Sequence, residues 1–179
     1  MEKNLRNYLL IFLLLFSFCT KPFSQKLILG DIYNPNFSSF NQKDIEEIFR
    51  ILTNFFNAIE KKDLILIQDY ILEEKGIYTD LKSWKSKKDF LKEIQQKDSY
   101  INNIYLNTKN LIQTTNDPTQ ISLYDLIRNS KQIKSDFFIL TEEECEVKLI
   151  IIDNPKESYR FNNPYFIKYN NIWYIYRLF

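Results

Sequence analysis

An α+β fold, with N-terminal helices packed on a C-terminal antiparallel, aromatic-rich sheet, is predicted by three features of the sequence. Apolar residues recur at helical spacing between Ile45 and Ile71, the period changes to two after Asp136, and 27 Phe and Tyr side chains supply the buried area. The 179 residues divide into 1–18, 19–40 and 41–179, the last long enough for one hydrophobic core.

Tyr8 to Phe18, YLLIFLLLFSF, is apolar except for Ser17. As a helix it would measure roughly 16 Å, against about 30 Å of bilayer hydrocarbon. Lys3 and Arg6 precede it and Thr20, Lys21 and Pro22 break it, which gives the basic, apolar, polar order of a secretory signal. A buried core helix would need a polar face, and Leu9 to Phe16 has none. Residues 1–18 are therefore expected to be a signal peptide.

Residues 19–40 carry Pro22, Pro35, Ser38 and Ser39 and little periodicity, as expected of a tether reaching about 70 Å when extended. KLILGDIY, Lys26 to Tyr33, is a short apolar interruption with the character of an edge strand or docked segment.

The helix predicted next is the best marked. Asn41 offers an N-cap, Asp44, Glu46 and Glu47 favour the positive end of the helix dipole, and Ile45, Ile48, Phe49, Leu52, Phe55, Phe56 and Ile59 make one stripe. Asp63 caps a second helix bearing Leu64, Ile67, Tyr70 and Ile71, with Gly76 at its end. Ile77 and Tyr78 start a strand, and Ser86 with Asp89 opens a helix that buries Phe90, Leu91 and Ile94. Lys82, Lys85, Lys87, Lys88 and Lys92 around Trp84 read as a solvated turn beside a half-buried Trp rather than an anion-binding surface, because acidic residues are interspersed. Asn102 to Thr119 reads as irregular, and Ile121 to Ile127 as a short helix.

The last third reads as strands. In ECEVKLIII, Cys145, Val147, Leu149 and Ile151 alternate with Glu144, Glu146, Lys148 and Ile150. Asp136 to Leu140 precedes this strand, and Tyr159 to Tyr169 and Ile172 to Phe179 follow it. Asn170-Asn171 suits a tight hairpin because Asn tolerates positive φ.

Two resemblances follow. Phe16-Ser17-Phe18-Cys19 resembles the bacterial lipobox, in which a Leu-like residue and two small residues precede a cysteine that is acylated and becomes the mature N-terminus. Phe16 and Ser17 fit, and Phe18 is larger than the pattern. The resemblance implies lipidation at Cys19, and it leaves Cys145 as a lone cysteine best accommodated inside a strand. The order helix, helix, short strand, helix and long antiparallel strands closing on FIKYNNIWYIYRLF resembles the cone-shaped nuclear transport factor 2-like (cystatin-like) fold over Asp44 to Phe179. That fold hosts ligand pockets, dimerisation modules and a few enzymes, so the likeness by itself implies no activity.

Composition narrows the chemistry. Removal of residues 1–18 takes Lys3, Arg6 and Glu2 and leaves 22 basic and 22 acidic side chains, which offers no basic surface for nucleic acid. With no histidine, Ser-His-Asp and Cys-His catalysis are excluded, and with only Gly30 and Gly76 neither a P-loop nor a dinucleotide fingerprint can be written. The carboxylates of EEECEV, Glu142 to Val147, lack the Asp- and Gly-containing loop of a calcium site and read as a charged strand edge. No catalytic, cofactor or metal site is expected. The expected protein is a cell-envelope lipoprotein with a non-enzymatic ligand- or protein-binding or structural domain, its partners being a membrane reached through the lipid anchor and a protein or small apolar ligand. Two alternatives stay open: a small enzyme using a Tyr and a carboxylate in an apolar cone, and an inner-membrane protein that retains Tyr8 to Phe18 as an anchor.

Overall fold

The computed structural model describes residues 22–33 and 41–178. Their fold is mixed α and β, with helices packed on one seven-stranded sheet. The strands are β1 (Leu27–Tyr33), β2 (Ile77–Tyr78), β3 (Trp84–Lys85), β4 (Ile133–Thr141), β5 (Glu144–Ile151), β6 (Tyr165–Tyr169) and β7 (Ile172–Arg177). Their order across the sheet is β1-β4-β5-β6-β7-β2-β3. The predicted antiparallel character holds from β4 to β7, whereas β1 runs parallel to β4 and β2 parallel to β7.

The first described helix, α1 (Phe23–Lys26), leads directly into β1. This corrects the tether expected over 19–40: residues 23–33 belong to the folded body. Three contacts hold them there. Ser135 donates to the Ile28 carbonyl at 2.9 Å, and the Asp31 amide donates to the Asp136 carboxylate at 2.8 Å. Lys134 bridges Asp31 and Asp136 at 3.0 and 3.1 Å. Gly30 is required at this crossing, because a Cβ there would lie 2.1 Å from Asp136 Oδ1.

Helix α2 (Gln42–Lys61) begins as its sequence predicts. The Asn41 side chain accepts from the Lys43 and Asp44 amides, and the Asp44 carboxylate accepts from the Asn41 amide at 3.1 Å. Ile45, Ile48, Leu52, Phe55, Phe56 and Ile59 are buried, each such side chain contributing about 1.5–3 kcal/mol of transfer free energy. The helix stops where Lys62 turns left-handed at φ 54. The predicted second helix is a 3-10 segment, Leu64–Tyr70, capped by Asp63, and it ends six residues before Gly76. Gly76 instead closes a following turn at φ +65, its amide bonded to the Leu72 carbonyl.

Further helices are α3 (Lys87–Ile94), α4 (Tyr100–Leu106), α5 (Thr108–Thr115) and α6 (Leu123–Asn129). Two of them correct the irregular segment expected over 102–119. Ser99 caps α4 and Asn107 caps α5, while Ile101 and Tyr105 bury themselves one turn apart. The strand expected from Tyr159 begins only at Tyr165, because Pro155 opens a 3-10 turn running to Arg160.

Phe137, Ile139, Cys145, Val147, Leu149, Phe166, Trp173 and Ile175 form the sheet's contribution to the core under α2. Asn170 and Asn171, both at positive φ, turn β6 into β7. Helix α2 has its two ends at opposite ends of this body. Its start meets the β6–β7 hairpin through Asp44, which accepts from Lys168 at 2.6 Å and from the Trp173 indole at 2.8 Å. Its finish meets α1, whose Phe23 amide donates to Glu60 at 3.2 Å. Asp44 and Glu60 are about 24 Å apart along the helix axis at 1.5 Å per residue.

Candidate functional site

A half-open cleft of about 600 Å³, within the range of small-molecule sites, lies between two walls. One wall is the corner between α2 and the 3-10 segment. Lys62 is fixed there by its left-handed backbone and Asp63 by its amide bond to the Ala58 carbonyl at 2.9 Å, while Leu64 and Ile65 turn apolar surface toward the space. The other wall runs from the end of α3 to the end of α4. Asn102, itself buried, donates its amide group to the carbonyls of Ile94 and Gln96 at 2.8 Å each and so ties the two helices together behind the cleft. Ile94 and Leu106 complete an apolar floor, with Lys97 and Asn107 on the rim. This arrangement accommodates a molecule with one apolar and one polar portion.

A smaller hollow of about 330 Å³ brings together Asp80, Tyr100, Tyr105 and Arg160. These are the residue types that Tyr and carboxylate chemistry would need, but their environments oppose it. Burial pushes the Tyr105 phenol well above its ordinary value, with the Asp80 charge adding to the effect, and its hydroxyl donates to the Thr79 carbonyl at 2.6 Å. Burial also pushes Asp80 up, yet bonds from the Lys82 amide and from the Ser83 hydroxyl and amide, with the Lys85 charge, leave its carboxyl below the usual range. The acid is thus held ionised by its own loop and the phenol neutral by burial, so neither is tuned toward neutral pH. Arg160 is ion-paired with Glu157.

Cys19, the expected lipidation site, lies outside the described residues, as does Tyr8 to Phe18. Cys145 is fully buried, and burial together with the Glu146 charge pushes its thiol up to about 12. The lysines near Trp84 do not converge: Lys85 pairs with Glu93 at 2.6 Å, and the Trp84 indole donates to the Lys75 carbonyl at 2.8 Å. Trp84 is 52% exposed, somewhat more than the half-buried position expected. In the EEECEV segment, Glu146 accepts from Arg177 at 3.0 Å and Glu144 bonds Tyr165. Among the described residues no three His, Cys, Asp or Glu side chains gather to hold a metal ion, and no helix is long and apolar enough to cross a membrane.

The cleft residues were not singled out by sequence reasoning. A signal for one wall does exist in Ile101, Ile104 and Tyr105 after Ser99, a capped helical pattern that the surrounding Asn residues obscure. No signal joins that wall to Lys62–Ile65, which approach it only in the folded chain. No family model, curated protein or solved structure matches this chain.

Proposed function

We propose that this protein is an exported cell-envelope lipoprotein, anchored by acyl chains on Cys19, whose domain binds a small amphipathic ligand without transforming it. The cleft between Lys62–Ile65 and Ile94–Asn107 carries the binding reading: it offers an apolar floor and two lysines on its rim. The ligand class is a molecule with an aliphatic or aromatic body against Leu64, Ile65, Ile94 and Leu106, and an anionic or hydrogen-bonding head near Lys62 and Lys97. A cone-shaped, cystatin-like body is part of the proposal. It is supported by the order of a long helix, a 3-10 turn, the short β2–β3 pair, helices and then β4 to β7.

Support for the enzymatic alternative weakens at Asp80 and Tyr105, which are held away from proton exchange at neutral pH. The signal-anchored alternative differs in the N-terminal mass, because it retains Tyr8 to Phe18. A fluorescent fatty acid such as cis-parinaric acid tests the binding reading. It should bind the wild-type domain with a saturable signal, and Ile65→Glu or Leu106→Trp should remove that signal while circular dichroism stays unchanged. Equal binding by all three proteins would place the ligand elsewhere and defeat the cleft as the site.

A further inference from the structure

Because residues 23–33 are built into the body, few residues of sequence separate Cys19 from it. Only Thr20, Lys21 and Pro22 separate Cys19 from Phe23. Four residue steps span at most about 14 Å. Phe23 is fixed by its amide bond to Glu60 and by its ring against Tyr124 at 5.3 Å, and Lys26 is inserted at the C-terminus of α6. An acyl group at Cys19 would therefore hold the Phe23 end of the domain at the membrane surface.

The charges of the two ends differ in the same sense. Around Phe23 the exposed basic groups are Lys61, Lys62, Arg128 and Lys131, and the acids are the exposed Asp63 and Asp153 and the half-buried Glu60 that accepts from the Phe23 amide. Asp153 accepts from the Lys131 amide at 3.0 Å and Asp63 from the Ile65 amide at 3.2 Å, bonds from neutral donors that cancel no charge, so this end carries a basic excess of about one. At the opposite end, the β4–β5 turn presents Glu142 and Glu143. An anionic surface attracts the first end and repels the second.

We propose that the end bearing Phe23, Lys61, Lys62, Arg128 and Lys131 docks against an anionic phospholipid surface, which rests on the acylation of Cys19 proposed above. The β6–β7 hairpin then projects away from the bilayer. Lys62 and Asp63 belong both to this end and to the rim of the cleft, so a ligand leaving the cleft on that side emerges next to lipid headgroups.

Energy transfer from tryptophan to dansyl-labelled headgroups tests the orientation. Ile152 and Ile172 are exposed, the first beside Gln132 at the Phe23 end and the second at the hairpin. The acylated full-length product, carrying Trp84→Phe with either Ile152→Trp or Ile172→Trp, is placed in phosphatidylglycerol–phosphatidylethanolamine vesicles, and the transfer from Trp173 in the Trp84→Phe protein alone is subtracted. Transfer from position 152 should exceed that from 172 several-fold, and inserting about twenty Gly and Ser residues after Lys21 should lower the ratio to what the basic end sustains by itself. Lys61→Glu with Lys62→Glu should reduce the ratio without releasing the protein. Equal transfer from both positions in an acylated protein, or a ratio unaffected by the two charge reversals, overturns the docking and leaves acylation standing. An N-terminal peptide whose mass lacks acyl chains removes both proposals.

Discussion

The Lys26 ammonium donates to the Arg128 carbonyl at 2.7 Å and to the Ile127 carbonyl at 3.0 Å, across roughly a hundred residues of sequence. These are among the last carbonyls of α6, of which that of Ile127 also accepts from the Ser130 amide at 3.2 Å, and a cation there complements the negative end of the helix dipole. Ser130 contributes to the same terminus, its hydroxyl donating to the Leu126 carbonyl. Lys26 thus closes a helix from outside while fixing the start of β1.

Lys26→Met keeps the aliphatic stem and removes both bonds. It should cost about 2 kcal/mol in urea unfolding, because the Arg128 carbonyl loses its donor and the Ile127 carbonyl keeps only the Ser130 amide. Faster amide exchange should appear in α6 and β1 together. A loss confined to α1 would mean that the lysine contributes nothing to the closure of α6.

Asp44 sits at the opposite end of α2 and is 4% exposed. Burial pushes its carboxyl up, but hydrogen bonds from Lys168, the Trp173 indole and the Asn41 amide, with the Lys168 charge, outweigh burial and hold it below the usual range. Its folded pKa is below the unfolded value, so the stability it contributes is present above about pH 3.9. That stability is lost as pH falls through the lower folded value. Asp44→Asn should lower stability at neutral pH by about 2–3 kcal/mol and flatten the acid limb of the stability curve. In a Trp84→Phe background, Trp173 emission should report the same acid transition, since its indole nitrogen donates directly to this carboxylate. Emission that stays constant until global unfolding would show that the bond does not titrate separately.

Cys145 faces the core between Phe166 and Ile139, its cross-strand neighbours. With its thiol pushed up to about 12, almost no thiolate exists at pH 8. Exchange with an aromatic disulfide reagent, which forms a mixed disulfide on Cys145 and releases the aromatic thiolate, should be negligible in the native protein and complete in urea. Its rate at intermediate denaturant should follow the unfolded fraction. Fast labelling of the native protein would mean that β5 opens locally.

What could be read from the sequence follows how local each determinant is. Asn41 and Asp44 sit one turn before a continuous apolar stripe, so α2 was visible, and β5 was visible because burial changes at every residue from Cys145 to Ile151. Asn170-Asn171 announced its turn by the conformational tolerance of Asn. β1 was obscured because its partner lies about a hundred residues away and burial fades along it, from Leu27 at 5% to Tyr33 at 48%. The helices α4 and α5 were obscured by Asn102, Asn103 and Asn110, which read as loop residues. Asn102 is buried all the same, because its amide group finds the carbonyls of Ile94 and Gln96. The cleft arises from two such nonlocal events, which is why no single window of sequence contained it.

The proposed acylation of Cys19 bears most directly on where the protein resides. Two acyl chains hold a protein stably on a bilayer where one chain binds only marginally, each buried CH₂ contributing about 0.8 kcal/mol. Cys19→Ala should therefore abolish fatty-acid labelling and either release the protein from the membrane fraction or leave it unprocessed. Phe18 supplies a second handle, since it is larger than the small residue that precedes the cysteine in the lipobox pattern. Phe18→Ala should speed processing without changing the mass of the mature N-terminus, as expected if the bulk of Phe18 slows recognition of the site. The folded body should be indifferent to both substitutions, because its first contact among the described residues is made at Phe23 with Glu60. If Cys19→Ala were processed and membrane-bound as before, the lipobox reading would be wrong, whereas a wild-type protein that keeps Tyr8 to Phe18 would be anchored by that segment, and Phe18→Ala would then have no processing to speed.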